Sequence, residues 1–212
     1  MNIGKINLFN YYSPALNNVN FKAGYKDIKQ KEEKAIFDST LDLCASAYEV
    51  PSFKEEIVDI QGEKYKLTTF DEGFYILKGT DDDIKATMKT IETKCKTEDC
   101  DNEFYSNNKG AIEISLLFSK GKGAGSFMLK EAVKRSFEKG YEGRVILNAM
   151  VINEAVGSPI PFYYKMGFKA YDTEVQSYIE SKMEEYKKTQ TYIQKQGTPM
   201  YLAPERINDF LD

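Results

Sequence analysis

The amino-acid sequence predicts an α/β (α+β) protein with a mixed, mostly antiparallel sheet flanked by helices. Three observations carry this. Three short strand-like runs follow one another with only brief polar connections, the signature of an antiparallel meander. The second half then alternates strand and helix patterns, which brings helices onto the sheet. The chain has 212 residues, 42% hydrophobic and 29% charged, enough for one sizeable core and too apolar for a disordered polymer.

Residues 1 to 25 scatter six asparagines among isolated aromatics, with Pro14 and Gly24, and read as a loosely held arm ahead of one domain over residues 26–212. From Asp27 to Tyr48, Ile28, Ala35, Ile36, Leu41, Cys44 and Ala47 fall near helical spacing before Pro51, which predicts an amphipathic helix. Strands are expected at Glu56–Ile60, Lys64–Phe70 and Phe74–Lys78. Asp81 to about Lys94 reads as a charged helix, with Asp81, Asp82 and Asp83 in its first turn where the helix dipole favours them. Residues 95–109 are polar and read as a loop.

Ala111–Ser119 is an apolar strand, and Ser126–Lys139 a helix with Leu129, Ala132, Val133 and Phe137 on one face. Gly140 stands where a helix C-terminal glycine belongs. Arg144–Val151 forms a further strand, Phe162–Met166 a short helix and Phe168–Tyr171 a short strand. A longer helix spans about Glu174 to Lys195, with Val175, Ile179, Met183, Tyr186 and Ile193 as its stripe, and Met200–Leu202 closes the sheet.

Composition narrows the chemistry. There is no histidine, which removes Ser-His-Asp and Cys-His nucleophile systems and His-rich zinc sites. Acid and base work falls to carboxylate, Tyr, Lys or Cys. Cys44, Cys95 and Cys100 are too few for a disulfide scaffold, and Cys95 with Cys100 lacks a second ligand pair, so no metal site is expected. The sparse thiols and the polar-interrupted start MNIGKINLFNYYSPA fit a reducing cytoplasm, with no signal-peptide core and no membrane span. With 29 basic against 33 acidic side chains, a generic nucleic-acid partner is disfavoured.

The chemistry concentrates in Lys120-Gly121-Lys122-Gly123-Ala124-Gly125, between an apolar strand and an amphipathic helix. Glycines let backbone amides approach a ligand, and a helix N-terminus adds unpaired N–H groups and dipole, together an anion site. The segment is neither a Walker A loop nor a dinucleotide fingerprint, whose last glycine is replaced here by Ser126.

Lys120-x-x-Gly123-x-Gly125 resembles the [Q/R]-x-x-G-x-[G/A] acyl-CoA pyrophosphate loop of the GNAT superfamily of N-acetyltransferases. Phe162-Tyr163-Tyr164-Lys165-Met166-Gly167-Phe168 is similar to that family's F-Y-x-K-x-G-F signature, and the element order over residues 111–171 matches. Lys120 stands where the family carries Gln or Arg, keeping the charge without the planar fork. The resemblance implies a sheet splayed between its fourth and fifth strands, with acetyl-CoA as co-substrate. Its pyrophosphate would lie on the backbone of Lys120, Gly121, Lys122, Gly123, Ala124, Gly125 and Ser126, and its pantetheine arm along Leu117, Phe118 and Ser119. The implied reaction moves an acetyl group directly to a primary amine of a small molecule, peptide or protein. Glu113 would be the base, with Glu154 as alternative, and Tyr163 the group facing the sulfur, with Tyr164 its closest rival. Asn153 precedes a longer, Pro-richer link than the family's. A second expectation is an inactive acyl-CoA-binding sensor or interaction domain; acylation of aminoacyl-tRNA is disfavoured by the acidic balance. Acceptor identity and oligomeric state, a homodimer included, stay open.

Overall fold

The computed structural model describes residues 52–95, 102–105, 108–150, 158–189, 192 and 197–211. The chain divides at Pro51 and Ser52, and everything described belongs to the second unit. The N-terminal arm, the helix at 27–48, Cys44, Cys100, Asn153, Glu154 and Ile193 lie outside the described residues.

Four antiparallel strands come first: β1 (Phe53–Ile60), β2 (Glu63–Phe70), β3 (Phe74–Lys78) and β4 (Ile84–Lys94). The first three fall where alternation and turn residues put them. β4 overturns the helix expected over Asp81–Lys94. The three aspartates form the β3–β4 turn, where Gly79 N–H donates to Asp83 O at 2.8 Å and Asp82 takes φ 57°. Beyond them Thr87, Thr90, Ile91 and Thr93 are β-branched, and Ala86, Met88 and Thr90 are buried on alternate positions. Charge around that period of two had masked it.

β5 (Gly110–Ser119), α1 (Ala124–Glu138) and β6 (Val145–Ala149) follow, then α2 (Ile160–Lys165), β7 (Phe168–Ala170), α3 (Thr173–Thr189) and β8 (Thr198–Leu202). Together the strands form an eight-stranded sheet of order β1-β2-β3-β4-β5-β6-β8-β7. Every pairing is antiparallel except β5 with β6. The mixed, mostly antiparallel architecture predicted from the sequence is therefore observed. β8 does not close an edge but lies between β6 and β7, and α3 is described over Thr173–Thr189, with residues 193–195 of the expected helix outside the described residues.

The three helices pack on one sheet face. Met128, Leu129, Ala132 and Val133 of α1, Ile160 and Tyr163 of α2, and Ile179 and Met183 of α3 share a core with Leu67, Leu77, Met88, Ile112, Ile114 and Leu147. Phe137, expected on the buried stripe of α1, is 42% exposed and closes over Gly143 near the helix end. Gly140 takes φ +75° after α1, as a helix-ending glycine should. Within the expected 95–109 loop, one 3-10 turn at Glu103–Tyr105 sends Tyr105 into the interior, where its hydroxyl donates to Leu202 O at 2.6 Å.

The pairing of β5 sets where the sheet parts. It runs parallel to β6 only at Ile112–Ile114, opposite Val145–Leu147. At the next residue β5 bulges: Lys89 faces Leu116 and Thr90 faces Ile114, leaving Ser115 extra, with its hydroxyl donating to Lys89 O at 3.2 Å. A bulge bends its strand and increases twist. Among the described residues β5 follows β4 alone from Leu116 onward, while Asn148 and Ala149 of β6 pair with β8. The two parallel strands, fourth and fifth in the expected order, thus part where the bulge sits.

Candidate functional site

Between β5 and α1 lie four residues, Lys120 to Gly123. Lys120 N–H donates to Lys85 O at 2.9 Å, which fixes the start of the loop on β4. Gly123 then takes φ 80° and ψ −19°, the left-handed conformation suited to glycine, and caps α1 without a side-chain hydrogen bond. The first bond into the helix is Phe127 N–H to Gly123 O at 2.9 Å, so the amides of Gly125 and Ser126 precede the ladder. The first turn carries no acidic residue. An anion finds donors and dipole there, with no carboxylate on the same turn.

Neighbouring elements shape the loop. A Cβ on Gly123 would stand 3.0 Å from Ile60 Cγ2 and 3.2 Å from Gln61 Nε2, so the β1–β2 turn packs against it. The space expected to admit ligand backbone at Gly123 is filled on that side by the turn. Gln61 is the site neighbour that sequence reasoning missed. The Gln61-Gly62 turn is legible locally, but its seat on the loop is a tertiary contact. A Cβ on Gly125 would stand 2.8 Å from Ser119 Oγ and 3.0 Å from Phe162 Cζ, which brings the end of β5, the start of α1 and α2 together. Ser126 Oγ adds a contact of 3.3 Å to Met166 Sδ.

The loop lysines divide. Lys120 Nζ donates to Asp83 Oδ1 at 2.7 Å, and Lys85 Nζ lies 3.0 Å from Oδ2 of the same carboxylate. The Lys120 hydrogen bond holds the Asp83 carboxyl below its ordinary range against the opposing effect of burial. Lys120 therefore anchors the loop to the β3–β4 turn with its charge matched. Lys122 is exposed and makes no ion pair among the described residues.

Leu117, Phe118 and Ser119 sit opposite Met88, Thr87 and Ala86, beyond the point where β6 departs. Strict alternation along β5 would put Ser115 and Leu117 on the face of Glu113, opposite Ile112, Ile114 and Leu116, and the bulge changes this. Leu117 joins Ile112 and Ile114 on the helix side, while Leu116 and Phe118 share the face of Glu113. Glu113 lies between Ile91 and Ile146, partly exposed, its carboxylate making no ion pair or hydrogen bond among the described residues. It is not held in a structural salt bridge there.

Tyr163 sits on α2 and is 8% exposed, its ring 5.2 Å from Phe162 and 5.5 Å from Phe168. Burial alone pushes its hydroxyl up to about 12. Tyr163 belongs to the helix-side core and Glu113 points from the other sheet face, so the two predicted catalytic groups are not in contact.

No protein-family model matches the chain, and no curated protein matches it. Among solved structures the chain is similar to Naa20 of Chaetomium thermophilum in complex with a bisubstrate analogue. The identity is 12%, over 64% of this chain and 68% of that one, with a TM-score of 0.35.

Proposed function

We propose that the protein is an acetyl-CoA-dependent N-acetyltransferase that acts on a primary amine by direct transfer. The observation that carries this is one juxtaposition: a glycine loop at a helix N-terminus, the end of a strand that among the described residues pairs with β4 but no longer with its parallel neighbour, and a tyrosine-bearing helix whose Phe162 reaches Gly125 beside Ser119.

The residues present suit such a co-substrate. The amides of Gly125 and Ser126, ahead of the helix ladder, supply donors for a pyrophosphate, Lys122 a cation with no ion pair among the described residues, and the edge of β5 from Leu117 to Ser119 backbone groups for an extended amide-bearing arm. Bound acetyl-CoA supplies the activated acyl group. The acceptor must arrive as a neutral amine, although a lysine-like ammonium has a pKa of about 10.4. Glu113 is the proposed proton acceptor, directly or through water, from the sheet face opposite the helices. Tyr163 keeps its proton throughout the physiological range. Full proton transfer from a phenol near 12 to a thiolate near 8.5 is uphill by roughly 5 kcal/mol, so its part is to donate a hydrogen bond to the sulfur.

The deciding experiment is calorimetric titration with acetyl-CoA and CoA, followed by thiol release against amines, peptides and aminoacyl-tRNA. Micromolar binding with amine-dependent release supports the transferase. Binding without release across the panel favours a sensor, and no binding removes the loop assignment.

A further inference from the structure

Among the described residues β1 is the first strand of the sheet and pairs on one side only. Such an edge is a template for another strand unless something blunts it. Ile60 and Glu63 flank the two-residue turn, so even-numbered residues direct their backbone groups toward β2, consistent with Asp71 N–H donating to Ser52 O at 3.1 Å. The odd-numbered Phe53, Glu55, Ile57 and Asp59 therefore turn their N–H and C=O outward. Two of them are large apolar side chains on the same sheet face, Phe53 at 52% exposed and Ile57 at 68%. On the opposite face the strand carries Lys54 and Glu56, paired with each other at 3.2 Å.

We propose that β1 pairs antiparallel with β1 of a second copy of this chain, about a two-fold axis at Glu55. Charge and shape select this register. With Glu55 opposite itself, Phe53 faces Ile57 of the second copy and Lys54 faces Glu56 of the second copy, each contact occurring twice. About six backbone hydrogen bonds form between outward-facing residues. At the axis each Glu55 carboxylate already meets Lys66 at 2.8 Å, which offsets the like charges. Moving the axis to Glu56 puts that carboxylate opposite itself and Phe53 opposite Asp59. Moving it to Lys54 puts like lysines together and Phe53 opposite Glu55. Moving it to Ile57 sets Glu55 against Asp59 twice. Only the Glu55 axis joins apolar with apolar and opposite with opposite charge.

Sedimentation equilibrium of the full chain, from low to high micromolar, tests this. The expected result is a reversible dimer. Lys54→Glu sets like charges opposite at two places and weakens association roughly tenfold. Adding Glu56→Lys to it swaps both signs and restores association. Ile57→Lys abolishes the dimer with an unchanged circular dichroism spectrum, since the side chain is mostly exposed in the single copy. A monomer throughout the range overturns the proposal. So does a dimer indifferent to Lys54→Glu and Ile57→Lys, or one weakened by Lys54→Glu that the charge swap fails to recover.

Discussion

At the scale of single residues, burial and ion pairing decide what each group near the loop can offer. The Tyr163 ring is packed between Phe162 and Phe168, and removing only its hydroxyl leaves that packing whole. Tyr163→Phe should lower turnover by about tenfold or more with acetyl-CoA affinity and thermal midpoint nearly unchanged, read from steady-state kinetics beside calorimetry. Gly123→Val should abolish acetyl-CoA binding by another route, because valine is strained at φ +80° and its branches meet Ile60 and Gln61. The strain costs about 1–3 kcal/mol, measurable by urea unfolding. Asp83→Asn should raise acetyl-CoA affinity a few-fold at low salt and leave it nearly unchanged at high salt, since it removes a negative charge held against the loop. The pH dependence of this anchor has a definite sign. Lys120 and Lys85 lower the folded-state value of the Asp83 carboxyl, so its stabilisation is present above the ordinary value near 3.9 and is lost as pH falls through the lowered one. Hydrogen exchange of the loop amides, corrected for intrinsic rates, should show protection flat from neutral pH to about 5 and loss only below about 4.

At the scale of elements, the bulge in β5 is the device that separates the parallel strands. Deleting Ser115 joins Ile114 to Leu116 opposite Thr90 and Lys89, restoring a regular ladder without turning any later side chain to the other face. The deletion should leave stability within about 1 kcal/mol but abolish acetyl-CoA binding, checked by chemical unfolding and titration of one preparation. Nothing in Glu113-Ile114-Ser115-Leu116 announces the bulge, because it arises from register with β4 rather than from local preference. The β1–β3 meander, β5, α1 and α2 were legible because their apolar residues repeat at the period of their own structure. β4 was not, since Asp81–Asp83 resemble a helix first turn and Lys85, Lys89, Glu92 and Lys94 obscure alternation. The placement of the glycine loop between strand and helix, and of Tyr163 on a short helix, was legible from their strings. The Asp83 partner of Lys120 and the Gln61 contact join residues far apart in sequence and could be seen only in the fold.

At the scale of the molecule, the sheet depends on long-range joins. Tyr105 links its hydroxyl to Leu202 O and lies against Val145, tying the 3-10 turn to β6 and β8 at once. β8 is the sole partner of β7 and the second partner of β6 among the described residues. Truncation after Gly197 should therefore destroy cooperative unfolding of the second half, with collapse of the near-ultraviolet circular dichroism signal as the readout. The insertion of β8 between β6 and β7 also bears on how the chain is made. Translation delivers β7 before the strand that must join it to β6, with all of α3 in between. At about 5–20 residues per second the wait is roughly 1–6 s, during which two strand edges stand open on the nascent chain. The interval is long beside the microseconds needed to form a hairpin. Holdase chaperones that shield such edges should associate with ribosome-bound chains once residues up to Ala170 have emerged and release once residues 198–202 have emerged.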